Sequence, residues 1–302
     1  MSETRSLRLG GAITALVTPF DRSGRIDRDA LGRLVRWQIA SGIHGLCPCG
    51  TTGEGATLDE DEKAQVVATV VEHAAGRTPV IAGCGTNDTR TTVSAARAAA
   101  RAGADALLVV SPYYNKPNAS GLIAHYEAVA RATPLPVVVY NVPSRTGQNL
   151  GAEMLLRLAA IPGVIAVKEA SGDLEQMATV LARRPPGFAV LAGEDGLALP
   201  AIALGAEGLV SVVSNEAPAE TAALVAAALE GDLVRARGLH FRLLPLMRAN
   251  FLETNPVPVK AALHRMGACG PTLRSPLGPP TEATLRAVDE ALAQAALGRI
   301  EA

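Results

Sequence analysis

Residues 106–110 read Ala106-Leu107-Leu108-Val109-Val110, residues 121–132 form an Ala-containing stretch of helical length, and residues 137–140 read Val137-Val138-Val139-Tyr140. The two short runs are apolar at every position before the terminal tyrosine. Such runs describe strands buried on both faces, and a helix between them describes a parallel crossover unit. The same unit recurs along the chain. Strands are predicted at 12–17, 42–47, 80–83, 106–110, 137–140, 164–168, 189–192 and 208–212, with helices at 27–40, 59–75, 91–102, 121–132, 152–158 and 174–183. Five or six units would suit an open doubly wound sheet, whereas eight can close on themselves. The expected fold is therefore α/β, a (β/α)8 barrel.

After residue 213 the pattern changes to helices at 218–229, 233–248, 256–266 and 281–296 without credible strands between them. The first completes the eighth unit. The expected organisation is a barrel over residues 1–231 and a packed helical extension over 232–302. No Gly/Ser linker separates the two.

Composition narrows the function. Apolar residues make up 48% of the 302, enough for a large core, which excludes a disordered chain. Lys plus Arg (28) nearly balance Asp plus Glu (29), and no basic stripe stands out for a nucleic-acid backbone. No apolar run has the length of a membrane span, and residues 1–11 lack the apolar core of a secretion leader. A cytoplasmic enzyme without nucleic-acid or membrane partners is expected. The four cysteines (Cys47, Cys49, Cys84, Cys269) and five histidines are scattered without metal-ligand spacing, so no metal is expected. Gly83-Cys84-Gly85 lacks the third glycine of a dinucleotide loop, and no phosphate-binding loop is present.

In a (β/α)8 barrel, chemistry sits where the strands end. The sixth predicted strand reads Val164-Ile165-Ala166-Val167-Lys168, and alternation puts Val164, Ala166 and Lys168 on one face. An inward Lys168 would lose hydration, and its neutral amine would be nucleophilic toward a carbonyl. A lysine reaching out to water is the alternative. The chain uses 24 arginines against four lysines, so a lysine inside an apolar strand points to chemistry that a guanidinium cannot perform. Tyr140 ends the fifth strand at the equivalent position and could shuttle protons; a packed core tyrosine is its plainer role. Arg145 follows on the next loop and has the fork to hold a carboxylate, although taken alone it reads better as a solvated surface arginine. Gly50-Thr51-Thr52-Gly53-Glu54-Gly55 supplies hydroxyls and close-approaching amides at the same barrel end.

Together, Gly50-Thr51-Thr52-Gly53-Glu54, Ser111-Pro112-Tyr113-Tyr114-Asn115-Lys116-Pro117, Tyr140 through Gly147, and Val167-Lys168-Glu169-Ala170-Ser171 resemble the dihydrodipicolinate (4-hydroxy-tetrahydrodipicolinate) synthase family of pyruvate-dependent class I aldolases. Glu253-Thr254-Asn255-Pro256-Val257-Pro258-Val259-Lys260 resembles the family's C-terminal segment. The resemblance implies a lyase that condenses pyruvate, held as a Schiff base on Lys168, with L-aspartate 4-semialdehyde on the route to diaminopimelate and lysine. It implies Tyr140 as general acid/base and Thr51 as a link to Tyr114, which reaches in from a neighbouring subunit. Thr52 would bind the pyruvate carboxylate, Arg145 the carboxylate of the semialdehyde, and backbone groups of Gly193 and Val210 would line the pocket. No metal or organic cofactor is implied, and a homotetramer, a dimer of dimers, is.

Sister enzymes of the superfamily, N-acetylneuraminate lyase and 2-keto-3-deoxy sugar-acid aldolases or dehydratases, share the lysine and tyrosine. A non-catalytic keto-acid-binding barrel is a third reading. Pro143-Ser144-Arg145-Thr146-Gly147 favours the synthase, because Arg145 suits an acceptor with its own carboxylate. The lysine-regulatory positions of the family correspond to Ala56, Glu60, Lys63, Asn87, Thr91 and Tyr113. Lysine-sensitive members carry histidine where this chain has Lys63 and glutamate where it has Thr91, so weak or absent inhibition by lysine is expected.

Overall fold

The computed structural model describes residues 7 and 9–300. Most of the opening segment read for a leader, and the outermost ends of the two expected divisions, lie outside the described residues. Eight strands form one all-parallel sheet: β1 (Gly11–Ala15), β2 (Gly45–Cys47), β3 (Ile81–Gly83), β4 (Ala106–Val110), β5 (Val137–Asn141), β6 (Val164–Glu169), β7 (Ala189–Ala192) and β8 (Gly208–Ser211). Neighbours follow chain order, and β8 returns to β1. The Leu46–Val80 bridge, with Leu46 N–H donating to the Pro79 carbonyl at 3.0 Å, closes β2 against β3. The chain is a (β/α)8 barrel, as its periodicity predicts.

The crossover helices are α1 (Arg28–Ala40), α2 (Glu60–Ala74), α3 (Thr89–Arg101), α4 (Ala119–Ala132), α6 (Ala152–Ala159), α7 (Leu174–Arg183), α8 (Ala198–Ala203) and α9 (Pro218–Leu229). Several begin where a short polar side chain caps free amides: Asp27, Asp88, Asn118 and Asp173 each accept from the amide three residues on. Asp59 and Glu62 form a reciprocal capping box at α2. Short α5 (Pro143–Thr146) and α8 are absent from the sequence expectation, since one or two turns carry too little periodicity to read. The helices α10 (Leu233–Ala249), α11 (Val257–Arg265) and α12 (Glu282–Gln294) complete the chain, with α10 against α9 and α12.

Strand alternation sorts the core into two layers. Ile13, Leu108, Val138, Ala166, Leu191 and Val210 pack inside the barrel, while Ala12, Leu107, Val139, Val167, Val190 and Leu209 face the helices. One expectation fails. Val137 pairs with Val164 but Val138 pairs with Ala166, so a bulge at Ile165 breaks the alternation. Val164 consequently joins the outer layer and Ile165 packs toward the inner one, leaving Ala166 and Lys168 inward. The second strand is also shorter than predicted. Gly42, at φ 85°, ends a turn whose amide donates to Ile39 O, so pairing starts only at Gly45.

Candidate functional site

Tyr140 and Lys168 are register partners at the C-terminal ends of β5 and β6. Both are buried, at 6% and 5% exposure, and Lys168 Nζ lies 4.2 Å from the centroid of the Tyr140 ring. The ring's negative face attracts a cation there, and its hydroxyl belongs to the same wall. Burial pushes the Cys47 thiol up to about 11, against the opposing pull of nearby Lys168, so it is no competing nucleophile.

A cavity of about 790 Å³ opens over these two side chains. Thr51, Thr52, Arg145, Gly193, Glu194, Asp195 and Val212 also line it, and Leu244, Met247, Arg248 and Phe251 roof it from the α10 end. A Cβ on Gly193 would stand 2.6 Å from that of Ala170, so glycine lets the end of β7 run tight against the end of β6. Val210 is buried within β8 in the inner layer that includes Tyr140; two residues on, Val212 is the side chain at the cavity. Pro143 starts α5, and its single turn projects Arg145 across the opening, where Nη2 donates to the Asn255 carbonyl at 3.2 Å. Thr52 Oγ1 accepts from Asn255 Nδ2 at 2.9 Å.

A buried amine beside a phenol, a hydroxyl pair and a guanidinium at the opening form a set suited to carbonyl condensation with carboxylate-bearing substrates. Residues 8–295 match the Dihydrodipicolinate synthetase family. The chain belongs to that family. It is 52% identical over 271 residues to 4-hydroxy-tetrahydrodipicolinate synthase of Thermomicrobium roseum, covering 90% of this chain and 89% of that one. It is 53% identical over 278 residues to the same-named enzyme of Acidobacterium capsulatum, covering 91% and 92%. Dihydrodipicolinate synthase from Acinetobacter baumannii, solved with pyruvate, superposes with a TM-score of 0.93 at 40% identity, covering 95% of this chain and 99% of that one.

The dihydrodipicolinate synthetase scaffold carries a second cavity of about 580 Å³ that shares Thr51, Tyr140, Arg145 and Asn255 with the first. Ala56, Lys63, Asn87, Thr91 and Tyr113 line it. Glu60 stands beside a smaller neighbouring cavity with Lys63 and Thr91, and its carboxylate accepts from Ser94 Oγ at 2.8 Å. Cys49 and Cys84 also face the larger space, with burial pushing both thiols up to about 12. Tyr114 lines neither cavity: it is 89% exposed, in a left-handed conformation at φ 72°. A single chain therefore does not bring it to Tyr140.

Three parts of the site were not legible as such in the sequence. Asp195 is buried and accepts from Ser211 Oγ at 2.5 Å and from the amides of Val212 and Val213 at 3.0 Å. It fixes the turn that brings Val212 to the cavity; burial pushes its carboxyl up, opposed by these hydrogen bonds. Asn255 is the second. The third is the Glu54–Lys260 pair behind the Thr51–Thr52 loop. Gly193-Glu194-Asp195-Gly196, directly after a predicted strand, was a local signal for the first, and the 50–55 and 253–260 segments singled out Glu54, Asn255 and Lys260 without showing what each would pair with.

Among the described residues, no helix is long and apolar enough to cross a membrane, and no three His, Cys, Asp or Glu side chains gather as a metal-binding group.

Proposed function

We propose that the chain is a 4-hydroxy-tetrahydrodipicolinate synthase, a Schiff-base lyase of the class I aldolase type. The neutral Lys168 amine attacks the ketone carbon of pyruvate to give a carbinolamine. Tyr140 relays the protons as water leaves and the imine forms. The imine withdraws electrons from the pyruvate methyl group, which loses a proton to give an enamine. The enamine carbon attacks the aldehyde of L-aspartate 4-semialdehyde, and the aldehyde oxygen takes up a proton. The substrate's own amine then attacks the imine carbon, closes the ring and displaces Lys168. Proton transfer of this kind contributes ~10²–10⁴-fold in rate.

In this reading Thr51 connects Tyr140 to Tyr114 of a neighbouring subunit, which gives the exposed position of Tyr114 a use within a homotetramer. Thr52 and the backbone at Gly193 and Val210 receive pyruvate, and Arg145 receives the carboxylate of the semialdehyde. Residues 1–231 carry the chemistry and residues 232–302 serve as its helical extension. The steps draw on no metal or organic cofactor. The product enters the route to diaminopimelate and lysine in the cytoplasm.

The observation that carries this reading is the pairing of Tyr140 with Lys168 at the floor of a cavity that also holds Arg145. Borohydride reduction in the presence of pyruvate should leave an adduct on the Lys168 peptide, and the purified protein should consume pyruvate with L-aspartate 4-semialdehyde but not cleave N-acetylneuraminate. An adduct on Lys116 or Lys260, or an undiminished adduct in Lys168→Ala, would contradict it. Extensive EDTA treatment should leave turnover unchanged.

A further inference from the structure

Glu194 follows the end of β7, just past Gly193, whose amide donates to the Glu169 carbonyl of β6 at 2.7 Å. Both carboxylate oxygens of Glu194 lie 3.7 Å from where a Cβ on Gly172 would stand, so the side chain rests over the loop that follows Lys168. It is half-buried on the wall of the cavity of about 790 Å³. Among the described residues no donor or cation pairs with this carboxylate. Lys168 turns its ammonium to the Tyr140 ring, and Arg145 donates to the Asn255 carbonyl. Burial, and then the like charges of Glu169 and Asp195, push the Glu194 carboxyl above its ordinary range. Those two acids have partners of their own, Glu169 in Asn141, Ser171 and Gln176, and Asp195 in Ser211 and the Val212 and Val213 amides. An unpaired carboxylate among like charges on an open cavity suits a ligand that brings a positive charge.

We propose that Glu194 is a catalytic residue for ring closure: it receives the α-ammonium of the semialdehyde and takes from it the proton that must leave before the ring can close. This rests on the synthase reading above. In the sheet β6 lies between β5 and β7, so Arg145 beyond β5 and Glu194 beyond β7 flank Lys168 from opposite sides. The α-carbon of the substrate carries a carboxylate and an ammonium, and a guanidinium, which only donates, can serve only the first. Thr51, Thr52, Ser144 and Thr254 line the cavity with hydroxyls, which carry no negative charge to offset the second. An ammonium has no electron pair with which to form a bond. When its proton passes to Glu194, the N–H pair becomes the lone pair that bonds to the imine carbon. The newly bonded nitrogen hands a proton to the Lys168 nitrogen. The old C–N bond then breaks with its pair on Lys168, while the ring nitrogen's pair forms the C=N bond of the product. Glu194, now neutral, gives its proton to solvent as product leaves. Its raised proton affinity suits it to accept a proton in this way.

The test compares L-aspartate 4-semialdehyde with succinate semialdehyde, which has the aldehyde and carboxylate but no amine. In Glu194→Gln, which keeps the size and shape of the side chain, kcat/KM for the substrate should fall by about ten- to a hundredfold, the loss typical of a hydrogen bond to a charged group. The inhibition constant of succinate semialdehyde should hold, which also shows that the variant is folded with its site intact. Glu194→Ala should behave alike and fall at least as far. Brief borohydride trapping with both substrates present should leave the mass of the condensed, unclosed chain on the Lys168 peptide of the variants, where the parent carries pyruvate. An unchanged kcat/KM, or a fall matched by an equal rise in the inhibition constant of succinate semialdehyde, would overturn the assignment of the ammonium to Glu194. A selective fall without the condensed adduct would overturn its part in ring closure. Absence of the Lys168 adduct or of turnover in the parent protein would count against the synthase reading itself.

Discussion

Glu54 and Lys260, from the second strand's loop and from α11, meet with both side chains fully buried and Nζ 2.5 Å from Oε1. Lys260 also donates to the Thr272 carbonyl at 2.8 Å and lies 4.2 Å from the Phe20 ring centroid. Glu54 Oε2 accepts from the Arg274 amide at 2.9 Å. The pair ties the Thr51–Thr52 loop to the C-terminal helices. Burial draws the Lys260 ammonium below its ordinary pKa, against the pull of Glu54.

Removing one member leaves the other charged and buried, which typically costs about 3–5 kcal/mol. Lys260→Met should therefore lower thermal stability sharply and loosen pyruvate binding through the Thr51–Thr52 loop. The double variant Glu54→Gln/Lys260→Met should recover part of the loss. Denaturant unfolding of the three proteins measures this; a double variant no better than Lys260→Met would show that the two groups do not act as a pair.

Arg145→Ala should leave the pyruvate adduct on Lys168 intact and raise the KM for the semialdehyde. Truncating a charged hydrogen-bonded partner of a desolvated carboxylate costs ~2–5 kcal/mol. Steady-state kinetics with each substrate varied in turn separates the two effects. Kinetics equal to the parent's would make Arg145 a surface residue and favour a sister lyase.

Lysine should inhibit weakly or not at all. In the 580 Å³ cavity Lys63 adds a positive charge, and Thr91 offers only a hydroxyl that already donates to Asp88 at 2.6 Å. Glu60 is engaged with Ser94 beside the cavity. The loss of one charge-assisted hydrogen bond lowers affinity by roughly ten- to a hundredfold. Initial velocities against added L-lysine test this, and half-inhibition well below millimolar would refute it.

Glu216 is fully buried, its Oε2 accepting from Asn250 Nδ2 at 2.9 Å while its Oε1 and Asn250 Oδ1 have no partner. Burial pushes its carboxyl well above the ordinary range, and Asp195 adds to the effect. The folded state therefore binds this proton more tightly than the unfolded one. That contribution is present at acid pH and is lost as pH rises from the unfolded carboxyl value toward the raised folded one. Glu216→Gln can offer an N–H to Asn250 Oδ1 at every pH. Its melting temperature should exceed the parent's at pH 8, with the gap closing toward pH 4; a gap that does not depend on pH would rule out titration of Glu216.

The barrel, its longer helices and the placing of Lys168 and Tyr140 at strand ends follow from local pattern. A strand buried on both faces announces itself by an unbroken apolar run, and a lysine closing such a run is visible without its neighbours. The bulge at Ile165 escaped because register belongs to a pair of strands, and β5 decides how β6 is offset. Asn255 with Thr52, and Glu54 with Lys260, stand more than 200 positions apart. Nothing periodic links such residues, and only closure of the barrel under its C-terminal helices brings them into contact. The sequence by itself thus determined that Lys168, Tyr140 and Arg145 stand at the strand ends. Tertiary structure alone decided which of them hold one another in place, because hydrogen bonds between distant segments depend on packing that no local run encodes.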